Sequence, residues 1–559
     1  MQNSIGSSRI PLLVGVTGHR DIAPQDERPL RAAFAAVLEK LEASYPDTPL
    51  LVLSALAAGA DILSAQEALA RNVDVFACLP MPADRYEDDF SPQERERFRA
   101  VLAACRGVRI VATATERQQG YVAAGLFLAH YSTILVAFWD GEAGRGRGGT
   151  RDVVEGRLHG ADVAPVYHIL TPRAGAPRPA NAFALEERYP ERFEGDEFVE
   201  RDFKAALSNL DTFNADLAEH GSSESRSTSL LRSLLDRTDA AANRLQKRTT
   251  FFLNLLFIGG FMGATAQILH SLPGKVAGIL VTVVLYVLAR TYDYENRYQD
   301  YRALAEGFRV QEAWFAAGMT MDRVDSSYLR MQQSELQWIR MALSSAYLLA
   351  RDEAPHERGT PADPACRDWI DGQWAFYKHK RVDQGARQSF LTLARNITLA
   401  VGFLLFAAAS LLEIVSLPTF AGHRYLPQLS LWTEAHQSFV QTMQTVPIAV
   451  AALVGSLLWQ YAEKRSYGSN AARYQRMFVV FDRARRRLRD LADDVDAMRA
   501  VVRKLGRESL IEHADWLLVG RGRPISVAPA QENFLRAAAE GASGFRRGRG
   551  PARSRARGR

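Results

Sequence analysis

Long apolar segments without formal charge constrain this chain more than any other feature of its sequence. They begin near Phe251, Val276, Ile397 and Val446. The first, Phe251–Leu269, has about 19 residues, which at a rise of ~1.5 Å per residue reach ~28 Å, enough for one bilayer crossing. A helix that is apolar on every side needs either a membrane or a protein core around it.

The four apolar runs form two pairs. Residues 271–274 read as a turn between the first run and Val276–Ala289, where Lys275 is expected to reach the outer interface. Ile397–Leu412 and Val446–Tyr461 form the second pair. Paired runs separated by a turn predict two membrane hairpins. The alternative is a set of buried core helices in a soluble protein.

Basic residues cluster on one side of each predicted hairpin. That side of the first hairpin carries Arg244, Lys247, Arg248, Arg290 and Arg297. That side of the second carries Lys378, Lys380, Arg381, Arg387, Arg395, Lys464 and Arg465. The opposite side has only Lys275, Arg424, Glu413 and Glu434. The positive-inside rule therefore predicts a multi-pass protein of the inner (plasma) membrane with both termini in the cytoplasm.

Composition limits the class of protein further. The 559 residues carry a formal net charge of +6, and seven arginines lie between Arg546 and Arg559. Mean hydropathy is slightly negative, which excludes a transporter with most of its mass in lipid. The cysteines Cys78, Cys105 and Cys366 have no ligand spacing and indicate reduced thiols. No basic segment followed by an apolar one opens the chain, so no signal peptide is expected.

Residues 10–170 alternate short apolar strands with helical stretches, of which Arg28–Ser44 has the clearest helical period. The predicted strands are Leu12–Val16, Leu50–Leu53, Val73–Leu79, Val108–Ala112, Thr133–Phe138 and Val163–Ile169. This pattern predicts an α/β Rossmann-like domain with a parallel sheet and helices on both faces. The expected fold class is that domain followed by an all-α membrane region, with four transmembrane helices in two hairpins and cytoplasmic helical extensions.

Three small-residue loops follow strands at the edge where such sheets bind ligands. They are Thr17-Gly18-His19-Arg20, Ser54–Asp61, and Trp139-Asp140-Gly141 running into Gly148-Gly149-Thr150. Residues without Cβ let backbone amides approach a phosphate, and the next helix points its positive end at the anion. Ligand-binding residues predicted from these loops are Thr17, Gly18, His19, Arg20, Gly59, Asp61, Asp140, Gly148, Gly149 and Thr150, the last also as a helix N-cap. The alternative is that the glycines only make tight turns.

Some of these side chains have an expected role. Asp140 is expected to accept hydrogen bonds from ribose hydroxyls, and Arg145 and Arg147 to close over a charged ligand. For His19 and Arg20, ligand contact and local pairing both stay open.

Taken together, these motifs resemble the SLOG superfamily, the Rossmann-like fold shared by the DNA-processing protein family and the LOG cytokinin-activating phosphoribohydrolases. The resemblance covers about residues 8–170 and includes Gly120-Tyr121 at the start of a helix. It implies a nucleotide or ADP-ribose-type ligand, with Tyr121 among the ligand-binding residues. No cofactor, metal site or catalytic residue is expected.

LOG enzymes carry the motif Pro-Gly-Gly-x-Gly-Thr-x-x-Glu, and this chain departs from it. Gly149-Thr150 match the Gly-Thr, but Val153 occupies the Glu position and the Pro is absent. The nearest carboxylates, Asp152 and Glu155, are out of register. The departure argues against hydrolysis and leaves binding intact.

The two hairpins look duplicated. Tyr301–Glu306 follows the second span, and Arg473–Phe478 follows the fourth, each on a continuing helix. The Tyr-Arg-x-Leu-Ala-Glu stretch resembles the SLATT effector modules, two-transmembrane domains found with SLOG domains in bacterial conflict systems. The resemblance implies that each hairpin belongs to such a module.

Changes in composition divide the chain into five parts. A Pro-rich linker at 171–186 and the predicted amphipathic helix Leu230–Lys247 separate the soluble and membrane parts. The expected parts are 1–175 as the SLOG-like domain, 176–248 as linker and amphipathic helix, 249–350 and 366–515 as the two-transmembrane modules, and 543–559 as a disordered Arg-rich tail.

The expected function is a membrane-bound bacterial defence effector that senses a nucleotide-derived messenger and disrupts or permeabilises the inner membrane. The expected partners are that small-molecule ligand, the lipid bilayer, further copies of the chain in a homo-oligomer, and a messenger-producing enzyme. One alternative is a membrane-tethered nucleotide or NAD-processing hydrolase, with Glu155 and Asp140 as its candidate acid and base. Another is a non-catalytic membrane scaffold.

Overall fold

The computed structural model describes most of the chain, with gaps in loops and at both ends. The described residues are 9–112, 116–142, 149–160, 163–190, 199–219, 229–268, 272–329, 336–351, 359–416, 427–491 and 493–521. They form two compact units. Unit 1 comprises Met1–Ala241 with Asp300–Thr360, and unit 2 comprises Ala242–Gln299 with Pro361–Arg559.

Unit 1 is built on a mainly parallel sheet. Its strands within the described ranges are β1 (Leu12–Gly18), β2 (Leu50–Ser54), β3 (Asp74–Leu79), β4 (Gly107–Ile110), β5 (Ile134–Trp139), β6 (Val166–Leu170) and β7 (Leu185–Arg188). They lie in the order β4-β3-β2-β1-β5-β6-β7, and only β7 is antiparallel. The predicted α/β sheet is therefore confirmed.

Helices cover this sheet and connect its strands. They are α1 (Glu27–Ser44), α2 (Ala60–Ala70), α3 (Ala83–Tyr86), α4 (Pro92–Ala104), α5 (Arg117–Tyr131), α6 (Thr150–His159) and α7 (Val199–Glu219). The predicted helix Arg28–Ser44 corresponds to α1, whose buried Leu30, Phe34, Leu38 and Leu41 repeat at the helical period.

The strand order reverses at the centre of the sheet. Val14 of β1 lies beside Val52 of β2 on one side and beside Ile134 of β5 on the other. The chain thus leaves β1 in one direction for β2 to β4 and returns to its other side for β5. In open α/β sheets, ligands bind beyond the carboxyl ends of the strands at such a reversal.

The soluble unit extends beyond residue 175. Leu185–Arg188, at the edge of the segment expected to be a linker, is the strand β7. The side chain of Asn214 on α7 accepts from the backbone N–H of Ile10 at 2.8 Å and donates to its carbonyl at 2.9 Å. Asn214 also donates to the Thr48 hydroxyl at 3.1 Å. Helix α7 is therefore part of the unit that the sheet forms.

The rest of the described chain is helical. The helices are α8 (Leu230–Ile268), α9 (Leu272–Tyr292), α10 (Tyr294–Ala316), α11 (Gln337–Ala350), α12 (Pro364–Ser416), α13 (Pro427–Ala435), α14 (Gln437–Arg465), α15 (Tyr467–Asp490) and α16 (Val495–Arg521). The boundary between the two units falls inside α8 and again inside α10. Helix α11 belongs to unit 1, and α12 to α16 belong to unit 2.

Three described stretches are long and apolar enough to cross a membrane, by length and composition: Leu230–Ala266, Pro364–Ser416 and Gln437–Asp490. Only 17%, 11% and 11% of their most apolar windows are buried by the rest of the chain, so these surfaces need an apolar environment from elsewhere. The fourth expected span falls in α9, whose apolar part, Leu272–Leu288, is shorter. The expectation of four spans is therefore supported for three helices, and the fourth span stays a proposal.

Candidate functional site

A cavity of about 580 Å³ opens at the carboxyl edge of the sheet in unit 1. It lies where the strand order reverses, between the ends of β1 and β5. Eight of the predicted site residues line it: Thr17, Gly18, His19, Arg20, Asp61, Tyr121, Gly149 and Thr150. The structure therefore brings together residues from all three predicted loops and from α5.

Two of the predicted glycines allow the loops after β1 and β2 to touch. A Cβ on Gly18 would lie 2.5 Å from the Cβ of Ala60 and 2.7 Å from that of Phe138. Gly59 has φ of +82°, and a Cβ there would lie 2.5 Å from the carbonyl oxygen of His19. The next amide, that of Ala60, donates to the same oxygen at 3.0 Å. Close loop packing therefore explains these two glycines, and their approach to a phosphate stays a prediction.

His19 is buried at the floor of the site, with 5% of its surface exposed. Its Nε2 accepts the backbone N–H of Asp140 at 2.9 Å, so that nitrogen carries no proton. Burial lowers the pKa of His19, and this effect outweighs the nearby Asp140 carboxylate. His19 is therefore a neutral imidazole that joins the ends of β1 and β5.

Asp140 is held by donors from its own chain. Arg173 donates from Nε to its Oδ2 at 2.5 Å, and the backbone N–H of Glu142 donates to Oδ1 at 3.0 Å. Partial burial disfavours the charged carboxylate, but these donors outweigh that effect and hold the pKa of Asp140 below its ordinary value. A ribose hydroxyl would have to share or displace them.

Arg173 is a site residue that sequence reasoning missed. It lies in the segment interpreted as a linker, yet its side chain is only 16% exposed and lines the cavity. A basic residue in a Pro-rich stretch carries no local signal of binding. Its place depends on the chain folding back from β6 toward the end of β5.

An aromatic wall closes the side of the cavity formed by α5. The Arg20 guanidinium lies 4.9 Å from the centre of the Tyr121 ring, and the Tyr121 hydroxyl donates to the carboxylate of Asp89. Tyr86 packs against Tyr121 with ring centres 6.3 Å apart. Arg20 therefore contacts this wall, rather than pairing with its neighbour in sequence. Aromatic faces beside a fixed cation suit a flat heterocycle.

Asp61 is a buried carboxyl group on the opposite wall, with 4% of its surface exposed. Burial raises its pKa to about 7, although hydrogen bonding from the amides of Ala57 and Ala55 and the charge of Arg20 oppose the shift. At neutral pH this group therefore exists in both protonation states.

The N-terminus of α6 faces the cavity. Gly149 is the N-cap without a side-chain hydrogen bond, and Thr150 is the first helical residue rather than the N-cap, because the helix begins one position later than expected. Gly148, Arg145 and Arg147 lie outside the described residues. The first amides of a helix have no carbonyl partner within it, so they are available to an anion.

Arg151 adds a positive charge to that helix end. Its side chain is exposed, lines the cavity, and makes no ion pair or hydrogen bond among the described residues. With Arg20 and Arg173 it outnumbers the acidic groups of the lining, Asp21 and Asp61. The cavity therefore favours a negatively charged ligand of nucleotide size, since such sites typically enclose about 300–1,000 Å³.

The other carboxylate considered for catalysis lies elsewhere. Glu155 is on the exposed side of α6, where His159 Nδ1 lies 3.0 Å from its Oε2, and it does not line the cavity. Within the described ranges, no group of three or more His, Cys, Asp or Glu side chains could hold a metal ion.

Comparison with family models gives no match for this chain, and comparison with curated proteins gives none either.

Proposed function

We propose that this chain is a membrane-bound effector of bacterial defence that binds a nucleotide-derived messenger in its α/β unit and disrupts the inner membrane through its apolar hairpins. The observation that carries the proposal is the presence, in one chain, of a cationic cavity at the reversal point of a parallel sheet and of helices long and apolar enough to cross a membrane.

The cavity supports the ligand class. An anion fits the free amides at the start of α6 together with Arg151, and a flat base fits the wall formed by Tyr121 and Tyr86. The resemblance to SLOG domains, based on the loops at Thr17–Arg20 and Ser54–Asp61, supports the same class. ADP-ribose and cyclic nucleotides combine an anionic group with a base, so they are the first probes.

The output requires several binding sites. Shifting an assembly from 1:99 closed to 99:1 open takes about 5.5 kcal/mol. One ligand typically couples by about 1–3 kcal/mol. A homo-oligomer with one cavity per copy sums these contributions, which is how the predicted oligomer would make a modest ligand signal decisive.

Calorimetry on the full chain in detergent micelles tests ligand binding. The panel is ADP-ribose, 3′,5′-cyclic AMP and a cyclic dinucleotide. Arg151→Glu should weaken the binding of whichever probe binds by at least about tenfold, because a charge-assisted hydrogen bond contributes roughly 1.5–3 kcal/mol. Arg28→Glu is the matched control, since Arg28 is the exposed second residue of α1 as Arg151 is of α6, and it lies outside the cavity. The control should bind as the parent does.

Two results would contradict the proposal. Absence of heat with every probe would remove the ligand class, and equal loss in both variants would assign the effect to net charge. Dye release from liposomes containing the protein tests the output separately. A probe that binds but releases no dye would leave a binding protein without the proposed effector action.

A hydrolase is the second candidate, and Asp61 favours it. A carboxyl with a pKa near 7 inside a ligand cavity has the protonation equilibrium that a general acid or base needs. Chromatography of ADP-ribose after incubation with the full chain separates the candidates. Turnover that Asp61→Asn abolishes without loss of binding would favour the hydrolase, and an unchanged ligand would favour the sensor.

A further inference from the structure

The two hairpins and the helices after them are repeats in a constant register. The described non-glycine residues with left-handed backbone include Asp293 (φ +45°), between α9 and α10, and Ser466 (φ +53°), between α14 and α15. They lie 173 residues apart. The same offset aligns three aromatic residues of α10 and α15: Tyr294 with Tyr467, Tyr301 with Tyr474, and Phe308 with Phe481.

The hairpins also cross at equivalent points. A Cβ on Gly278 of α9 would lie 2.4 Å from the Cα of Gly263 on α8, so these helices touch backbone to backbone. A Cβ on Gly402 of α12 would lie 2.2 Å from the Cβ of Ala451 on α14. Ala451 follows Gly278 by the same 173 residues, and Gly402 follows Gly263 by 139. Small residues at a crossing are typical of helices packed in lipid.

A pair of ion pairs confirms both offsets independently. In unit 1, Arg232 lies 3.7 Å from Glu312. In unit 2, Asp371 lies 2.5 Å from Arg485. Asp371 follows Arg232 by 139 residues and Arg485 follows Glu312 by 173, so the two pairs are equivalent with their charges reversed. The first repeat is thus α8, α9 and α10, and the second is α12, α14 and α15.

Within unit 2 the two repeats touch through different faces. The Tyr461 hydroxyl of the second repeat donates to Asn254 of the first at 3.2 Å, and its ring lies 5.3 Å from that of Phe257. Arg465 donates to the Thr250 hydroxyl at 3.1 Å. The first repeat therefore contributes its α8 and the second its α14, which do not correspond. The contact is head-to-tail.

A head-to-tail contact between repeats leaves one face of each kind unused. The equivalents of Tyr461 and Arg465 in the first repeat are Leu288 and Tyr292, which are 36% and 50% exposed. The equivalents of Asn254 and Thr250 in the second repeat are Leu393, 59% exposed, and Ser389, also exposed. We call Leu288 and Tyr292 the α9 face, and Leu393 and Ser389 the α12 face.

We propose that the α9 face of one chain binds the α12 face of a second copy, repeating between chains the contact that the two repeats make within one. This inference deepens the proposed function, because it specifies how the copies of the effector assemble. Head-to-tail contacts form a closed ring when the rotation closes and a filament when it does not.

The chemistry of the two faces fits this occupant. Superposing the contact places Leu288 opposite Leu393 where the chain itself has Tyr461 opposite Asn254. It places Tyr292 opposite Ser389 where the chain has Arg465 opposite Thr250. The contact between copies is thus apolar with one hydroxyl pair, and it replaces lipid with protein at no cost in buried charge. It forms without ligand, as the contact inside the chain does.

Disulfide cross-linking of the full chain in membranes tests the proposal. The background is Cys105→Ser, because Cys78 and Cys366 are buried. Two single variants, Leu288→Cys with one epitope tag and Leu393→Cys with another, are co-expressed and oxidised with copper phenanthroline. The expected product is a dimer that carries both tags, with no dimer carrying one tag twice. The double variant should give a ladder of covalent multimers.

Val287→Cys replaces Leu288→Cys as the control, since it lies one residue along α9 and about 100° around the helix. It should cross-link to Leu393→Cys several-fold less. Dimers of one tag only would indicate a two-fold contact and overturn the proposal. So would absence of mixed dimers, or equal yields with the control. Cross-linking that persists in a chain that binds none of the nucleotide probes would sink the proposed function and leave this inference intact.

Discussion

Asp61 and Asp140 belong to the same region of the chain, and their surroundings shift their pKa values in opposite directions. Burial raises the pKa of Asp61 to about 7, whereas the donors from Arg173 and Glu142 lower that of Asp140. Since one carboxylate has a cationic partner and the other has burial as its main influence, only Asp61 changes charge near neutral pH.

Asp61 therefore makes stability depend on pH. The folded state holds this proton more tightly than the unfolded state, so the free energy of unfolding should fall as pH rises from about 4 to about 7, and level off above that. Asp61→Asn should flatten this dependence. The measurement is the midpoint of the first thermal transition of the full chain in micelles, taken at intervals between pH 4 and pH 8.

Asp84→Asn is the control for that experiment, because Asp84 is exposed and lies outside the cavity. It should leave the pH profile unchanged. A profile that keeps its slope in Asp61→Asn would assign the dependence to another group.

At the scale of elements, α5 connects the cavity to the α11 region within unit 1. Tyr121 near its start lines the cavity, and Tyr131 at its end packs on the guanidinium of Arg323 at 4.4 Å. Tyr347 of α11 covers Arg323 at 5.2 Å, with its ring nearly parallel to that of Tyr131. Asp325 pairs with Arg323, so the charge between the rings is compensated.

Arg323→Ala should separate ligand binding from membrane output. It removes the group between the two tyrosines and leaves the cavity lining intact, so the affinity for a nucleotide probe should stay within about twofold. Dye release from liposomes should fall by at least about tenfold at saturating probe, because coupling of about 1–3 kcal/mol runs through this contact. Parallel loss of affinity and output would instead indicate a folding defect.

The reach of the soluble unit is also an element-scale result. Because Asn214 of α7 satisfies the backbone of Ile10, a fragment that ends at residue 175 would leave a buried N–H and a buried carbonyl without partners. Binding experiments are therefore best made on the full chain.

At the scale of the whole molecule, the open question is whether α9 crosses the membrane with the three longer candidates. Its N-terminal part includes Pro273, Gly274 and Lys275, which lower its hydropathy. Its contact with α8 at Gly263 and Gly278 favours a paired crossing, and the basic residues flanking both hairpins favour the same topology.

Four crossings place both termini inside, and three place them on opposite sides. Ser438→Cys and Arg476→Cys are exposed positions on α14 and α15 that report on this. With four crossings, a membrane-impermeant maleimide added to intact spheroplasts should label Ser438→Cys and leave Arg476→Cys unlabelled until the cells are broken. The native thiols give little background, since Cys78 and Cys366 are buried and burial raises the pKa of Cys105 to about 12.

The reverse labelling pattern in intact spheroplasts would contradict the predicted topology. Labelling of neither position before lysis would place α14 outside the membrane. Either result would leave the α/β unit and its cavity unaffected.

The sequence by itself determined the features that depend on neighbours in the chain. Alternating apolar strands and helices predicted the sheet, because burial imposes a period on residues a few positions apart. Small-residue loops after β1, β2 and β5 identified the edge that carries the cavity, because parallel strands end on one side. Charge-free length predicted the apolar helices, since a bilayer sets a minimum number of residues.

Only the tertiary structure decided the partners that lie far apart in sequence. Arg173 meets Asp140 because the chain turns back after β6, and no local pattern encodes that return. Gly18 and Gly59 are required by the packing of one loop on another, which the sequence alone could not separate from phosphate binding. The head-to-tail contact of the repeats likewise emerged only when Tyr461 was found against Asn254. A sequence pattern records which face of an element is apolar, whereas the neighbour of that face depends on where the rest of the chain packs.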